Sequence, residues 1–253
     1  MKKAKSYLFV LFAVIFTFSA FMIIRELSRQ KKDIDSFQSL SALVAPESVE
    51  TLPPSPENGE SVPVPEKPVI LRNLAPLFER NSDCIGWLYI EGTKIDYPVM
   101  HTPKNPEQYL HRNFDNQYSA AGVPFADASC TLADDNLVIY GHNMKNGTMF
   151  ADITKYRDKA YYTEHPTVEL QTAQGLTQYA VFAVVQVRND DSWYFFHTAD
   201  DEAGYNDKVA EIKSRALYDT GITPTYGQQL ITLSTCYGAD KDSRIIVIAC
   251  EQT

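Results

Sequence analysis

Near its end the chain reads QLITLSTCYGADKDSRIIVIAC, over residues 229–250. Leu230, Ile231 and Leu233 make a β-prone run that ends in Ser234, Thr235 and Cys236. A polar loop over 238–243 follows, and Arg244 then opens a second apolar run over 245–249. Apolar, β-branched runs bounded by Gly, Asp and Ser read as two strands joined by a loop. This geometry places a thiol at the exit of one strand and a guanidinium at the entrance of the next. A thiol attacks as its thiolate, and a nearby cation favours that form, so Cys236 is a candidate nucleophile. The competing reading is a small buried apolar residue, as free cysteines commonly are.

The same β pattern recurs upstream. IGWLYI and KIDYPVM, joined at Glu91-Gly92-Thr93, read as a hairpin. Residues 136–140 read as a short buried strand closed by Gly141 and His142. TVELQTA and LTQYAVFAVVQVR read as two long strands about Gly175. Several short strands with few helices between them point to a closed barrel or a sandwich. Helical signals are fewer. Leu71, Leu74, Leu77 and Phe78 suggest a short segment limited by Pro76, and residues 150–162 suggest another. Between Arg188 and Thr223 the β pattern stops. There Val209, Ile212, Ala216 and Leu217 form a helical face behind an Asp200-Asp201 cap and ahead of Gly221.

Residues 7–24 are an uncharged, largely apolar run preceded by Lys2, Lys3 and Lys5 and followed by Arg25. The run is long for a signal-peptide core and close to the length that spans a bilayer. With no convincing cleavage site after it, residues 1–25 read as an uncleaved signal anchor. Basic residues flank both ends, so charge alone does not orient it. Residues 26–43 are charged and weakly amphipathic, at loosely helical spacing. Pro46, Pro53, Pro54, Pro56, Pro63, Pro65 and Pro68 then mark an extended spacer that cannot form a core. The expected organisation is an anchor over 1–25, a charged and Pro-rich spacer over 26–68, and a folded domain over 69–253.

The formal net charge is −9, and the anchor region is basic, so the remainder is more acidic still. Nucleic acid rewards clustered Lys and Arg and is not an expected partner. The four cysteines, Cys84, Cys130, Cys236 and Cys250, show no CxxC spacing. With Cys236 kept reduced for catalysis, the other three read as core residues with room for one bridge. There is no HExxH and no Cys/His cluster, so neither a metal nor a cofactor is expected. Of the five histidines, His101, His111, His165 and His197 lie in polar, turn-rich text and read as surface or capping residues; His142 ends an apolar strand.

TLSTC with Arg244 downstream, together with NLVIYGHNMKNGTMF upstream, resembles the active-site segments of sortases, the cysteine transpeptidases of Gram-positive cell surfaces. The flanking IYGHNM and MFADI resemble class B sortases most, and the resemblance runs from about Leu71 to Glu251. Asp96-Tyr97-Pro98-Val99, YLHRNF and GVPFAD match the family's early strands. The resemblance implies a mainly β fold: a closed sortase-type barrel of about eight strands, with an N-terminal helical segment and a helix inserted before the catalytic-cysteine strand. It implies Cys236, His142 and Arg244 as catalytic residues, with Asn113, Tyr140, Ser234 and Thr235 on the substrate side. For Asn113 the plainer reading is a turn residue. The position after the cysteine, acidic in many relatives, is Tyr237 here.

The implied reaction is cleavage of an Asn-Pro-x-Thr sorting signal after Thr through a thioester. Transfer then follows to an amine of a cell-wall precursor, a lipid-linked peptidoglycan stem or a pilin lysine. The implied partners are thus a surface protein bearing the signal, that amine, and the membrane through the anchor, with the catalytic domain outside the cell. Two rival readings remain. One is a cysteine peptidase or amidase that transfers to water, and the other a non-catalytic surface-binding module on the same tether.

Overall fold

In the computed structural model, residues 2–45 and 71–252 are described. The chain divides into two units, one up to Leu40 and one from Ser41 onward. The first is built from α1, Lys2–Leu43, a single continuous helix. Residues 7–24 and 26–43, separate segments at the sequence level, run on without a break because neither Gly nor Pro interrupts them. Within Leu11–Leu43 an 18-residue window reaches a mean hydropathy of 1.8, so the helix is long and apolar enough to cross a membrane. Its side chains Phe12, Phe16, Phe18 and Ile24 are all exposed. The Pro-rich spacer over 46–68 lies outside the described residues.

The second unit is a closed barrel of eight strands. They are β1 Cys84–Tyr89, β2 Asp96–Met100, β3 Phe125–Ala126, β4 Asn136–Tyr140, β5 Thr167–Thr172, β6 Gly175–Arg188, β7 Leu230–Cys236 and β8 Ser243–Glu251. Around the barrel the order is β1-β2-β3-β4-β7-β8-β6-β5, and β1 pairs with β5 to close it. Two neighbours are parallel, β2 with β3 and β4 with β7; the other pairs are antiparallel. The Leu- and Thr-containing text of β7 and the Ile-rich text of β8 are buried on both faces for most of their length. That explains why they read as continuous apolar runs and not as alternating ones. A closed barrel leaves no strand as a free sheet edge.

Short helices fill the connections. Helix α2, Ala75–Arg80, carries Pro76 in its first turn, where a missing N–H costs nothing. Residues 150–162 do not form one helix. A 3-10 segment, Phe150–Arg157, gives way to α3, Lys159–Glu164. Asp158 divides them: its backbone is extended and its side chain accepts from the Ala160 N–H, capping the new helix. Helix α4, Glu202–Ser214, is the insertion before the cysteine strand. Asp201 caps it by accepting from the Gly204 N–H. It buries Tyr205, Val209 and Ile212, and it ends before Ala216 and Leu217, which lie beyond it. The early segments also differ from expectation. YLHRNF supplies a 3-10 turn, Gln108–His111, and within GVPFAD only Phe125–Ala126 is a strand. Arg112 and Tyr118 form an isolated bridge instead.

A buried polar chain ties β4 and β7 to the segment ahead of α4. Trp193 Nε1 donates to Thr232 Oγ1 at 2.9 Å, and Thr232 Oγ1 donates to Asn136 Oδ1 at 2.8 Å. Asn136 Nδ2 in turn donates to the Phe196 carbonyl at 2.9 Å. Each of these groups is paired, which is the condition for a polar network to be tolerated in a core. Leaving one partner of such a bond unpaired costs about 1–3 kcal/mol.

Candidate active site

Strand order explains how distant residues meet. β4, β7 and β8 are neighbours, and β4 runs parallel to β7, so both end at the same rim of the barrel. β8 runs antiparallel to β7 and begins at that rim. His142 follows β4, Cys236 ends β7, and Arg244 stands directly across from Cys236 in the β7–β8 register. All three line one cavity of about 540 Å³, together with Leu110, Asp127, Tyr140, Tyr194, Ser234 and Thr235 among others.

The turn into His142 is held at several points. The Gly141 N–H donates to the Ser234 carbonyl at 3.1 Å, extending the β4–β7 ladder by one residue. Thr235 Oγ1 donates to the Gly141 carbonyl at 2.7 Å. A Cβ on Gly141 would meet the Phe150 ring at 2.5 Å, so only glycine fits at this point. Behind it, the Phe150 N–H donates to the His142 carbonyl at 2.9 Å. Asn143 Nδ2 reaches across to the Cys236 carbonyl at 3.0 Å.

The His142 ring makes a 2.9 Å hydrogen bond between Nε2 and the Leu110 carbonyl. A carbonyl only accepts, so Nε2 carries the proton and Nδ1 carries the lone pair. The ring stacks on His111, with centroids 5.4 Å apart and planes 23° apart. Burial lowers the imidazole pKa below its ordinary 6.5. The neighbouring charge of His111 also lowers it, and the Leu110 carbonyl opposes them. At neutral pH this ring is therefore a neutral base, able to take a proton from a thiol and hand it on.

Cys236 is the one exposed thiol; Cys84, Cys130 and Cys250 are buried, and all four are free. Burial pushes Cys84 and Cys130 up to about 12, which makes them inert as nucleophiles. Arg244 Nη1 donates to the carbonyls of Lys241 and Ser243, at 2.6 and 3.0 Å. A guanidinium has five N–H donors, so donors remain for a substrate oxygen. The Tyr237 N–H donates to the Ser243 carbonyl at 3.0 Å and closes the loop between them. The Tyr237 hydroxyl accepts from Arg157 at 3.1 Å.

The substrate-side residues separate into two groups. Tyr140, Ser234 and Thr235 line the cavity, but their polar atoms are already engaged. Tyr140 donates to Asp127 Oδ2 at 2.9 Å, Ser234 shares a 2.7 Å bond with the Tyr194 hydroxyl, and Thr235 holds Gly141. Burial, reinforced by the Asp127 charge, raises the Tyr140 phenol above its ordinary range. Burial likewise pushes Tyr194 up to about 12. Asn113 is not brought to the cavity. It is buried in a turn, where Oδ1 accepts from the Gln117 N–H at 2.8 Å, the plainer of the two expectations for it. Sequence reasoning did not find the Leu110 carbonyl, His111, Asp127, Asn143 or Tyr194. A backbone carbonyl and partners brought in by 3-10 turns carry no periodic signal.

A thiol, an imidazole and a guanidinium around one groove equip a protein for cysteine-dependent acyl transfer. The sortase domain family model matches residues 88–252. The chain belongs to the sortase family, whose members are cysteine transpeptidases. It is 40% identical over 171 residues to sortase B of Listeria monocytogenes, a match that covers 66% of this chain and 66% of that protein, just under two thirds of its length. The structure is similar to that of Clostridium perfringens sortase B, with a TM-score of 0.66 and 32% identity over 72% of this chain and all of that one. It is also similar to a complex of Staphylococcus aureus sortase B with substrate, with a TM-score of 0.65 and 26% identity over 70% of this chain and 83% of that one.

Proposed function

We propose that this protein is a membrane-anchored sortase of class B type. In this reading it cleaves an Asn-Pro-x-Thr sorting signal after Thr and passes the acyl group to a cell-wall amine. The observation that carries it is the strand register: Cys236 opposite Arg244, with His142 leaving the strand beside them. His142 Nδ1 accepts the Cys236 proton as sulfur attacks the Thr carbonyl. The resulting imidazolium then protonates the departing amine, leaving a thioester. Arg244 donates to the oxygen that becomes negative in the tetrahedral intermediate. An incoming amine loses its proton to His142, attacks the thioester and releases the thiol. Asn113 serves as a turn residue, and Tyr140, Ser234 and Thr235 shape the groove wall. The helix α1 supplies the anchor, residues 1–25 spanning the membrane, and the charged and then Pro-rich spacer over 26–68 holds the domain over 69–253 outside it. The partners are a signal-bearing surface protein and a lipid-linked peptidoglycan stem or a pilin lysine. The similarity to a sortase B solved with substrate supports the assignment of the groove.

The test is product analysis by mass spectrometry, with an Asn-Pro-x-Thr peptide library and the full-length protein in detergent. An amine acceptor should convert the cleaved peptide into an amide, at the expense of free acid. A free acid whose yield is indifferent to added amine would make the protein a hydrolase, and absence of cleavage across the library would refute the substrate class.

A further inference from the structure

We infer that Asp127, Cys130 and His197 form a binding site for one divalent cation of the zinc type, beside the groove. A carboxylate oxygen of Asp127, the Cys130 sulfur and a ring nitrogen of His197 lie within 4.8 Å of one another. Oxygen, sulfur and imidazole nitrogen are the donors that zinc accepts, at about 2.0–2.3 Å. An independent observation points the same way. His197 Nε2 is closed to water and has no hydrogen-bond partner among the described residues. Buried polar atoms are almost always paired, and an exception calls for a missing partner. His197 read as a surface or capping residue in the sequence; the structure half-buries it.

The three ligands stand on backbone that is already fixed. The Asp127 N–H donates to the Val138 carbonyl at 2.8 Å, and the Cys130 N–H donates to the Asp127 carbonyl at 3.1 Å. The Asn136 N–H donates to the His197 carbonyl at 2.9 Å. All three are thus tied, directly or through one turn, to β4. Asp127 accepts from the Ser129 N–H at 2.8 Å and from the Tyr140 hydroxyl at 2.9 Å. A carboxylate has about four lone-pair sites, so these bonds leave room for a cation and orient the ligand. The Cys130 thiol makes a long 3.6 Å contact to the Asn136 carbonyl, and a backbone hydrogen bond from Val138 favours its thiolate. Binding closes the ligand atoms by about 1 Å around the ion and sends the thiol proton to solvent. Three protein ligands leave a fourth position for water. The sequence hides the site because His197 is far along the chain from the Asp-x-x-Cys pair. Asp127 also lines the groove, so the ion would share a carboxylate with Tyr140.

The test uses the full-length protein in detergent with Cys236→Ala, which removes the exposed thiol, titrated with Co²⁺ alone. We expect one Co²⁺ per chain, a near-ultraviolet thiolate-to-cobalt band, and displacement by Zn²⁺. On the same background Cys130→Ser should abolish the band, and His197→Gln should weaken binding at least ten-fold. Circular dichroism checks that both variants are folded, and either one alone is decisive. A chain that takes up no cobalt, a band that survives Cys130→Ser, or unchanged affinity in His197→Gln would overturn the site. None of these readouts depends on peptide cleavage, so the result stands apart from the proposed reaction.

Discussion

Thr235→Val replaces a hydroxyl by a methyl at a position that is 2% exposed. Packing is nearly conserved, and the change removes the 2.7 Å bond to the Gly141 carbonyl. That carbonyl follows the last β4–β7 pair, Tyr140 with Ser234, so no ladder bond takes its place. The bond is part-buried, so leaving this acceptor without a donor costs toward the low end of about 1–3 kcal/mol. For a domain of this size each kcal/mol moves the melting temperature by about 2–4 °C, so a fall toward the low end of about 2–12 °C is expected. The catalytic cost has a separate origin. Gly141 precedes His142, and a misplacement of about 1 Å in a reacting group can cost about 10²-fold. Turnover should therefore fall by about one to two orders of magnitude, with KM for the peptide little changed. Thr235→Ser keeps the hydroxyl and should recover most of the rate. The assay is thermal unfolding alongside peptide cleavage kinetics. A Thr235→Val protein as stable and as fast as the parent would refute the claim that this bond positions His142.

Arg244→Lys keeps the charge and loses the planar fork of donors, so turnover should fall about 10²–10³-fold at an unchanged melting temperature; equal rates would remove Arg244 from the mechanism. The pH dependence follows from His142, whose folded pKa is lowered by burial and by the His111 charge. The unfolded imidazole binds its proton first as pH falls, so this group's contribution to stability is present above about 6.5 and declines below it. The acid limb of kcat/KM should lie below about 6.5, and His111→Gln should move it upward. A limb above 6.5, or one indifferent to His111→Gln, would contradict the assignment of His142 as the base.

The parts of this fold that were legible in the sequence are those with a strong local pattern. β7 and β8 read as apolar runs around a polar loop, which puts Cys236 at the exit of one strand and Arg244 at the entrance of the next; the register of the structure sets them opposite each other. The β1–β2 and β5–β6 hairpins carry Gly92 and Gly175 at their turns, both with positive φ. What escaped is short or non-local. β3 is only two residues long and has no period to detect. The break at Asp158 depends on a side-chain cap that overrides helical propensity on both sides. Ser234 and Thr235 sit beside the nucleophile in sequence, which suggested substrate contact. In three dimensions their hydroxyls turn to Tyr194 and Gly141 and brace the wall. The environment of His142 comes from a 3-10 turn distant in sequence, which no spacing within the GHN motif reveals.

The central claim is that Cys236 forms the acyl-enzyme. Intact-protein mass spectrometry after mixing with an Asn-Pro-x-Thr peptide, quenched in acid, measures this most directly. The account predicts an adduct equal to the peptide acyl group ending in Thr. It should map to the peptide containing Cys236, be released by hydroxylamine, and disappear in Cys236→Ala with Cys84, Cys130 and Cys250 intact. An adduct on any other residue, or turnover that persists in Cys236→Ala, would contradict it.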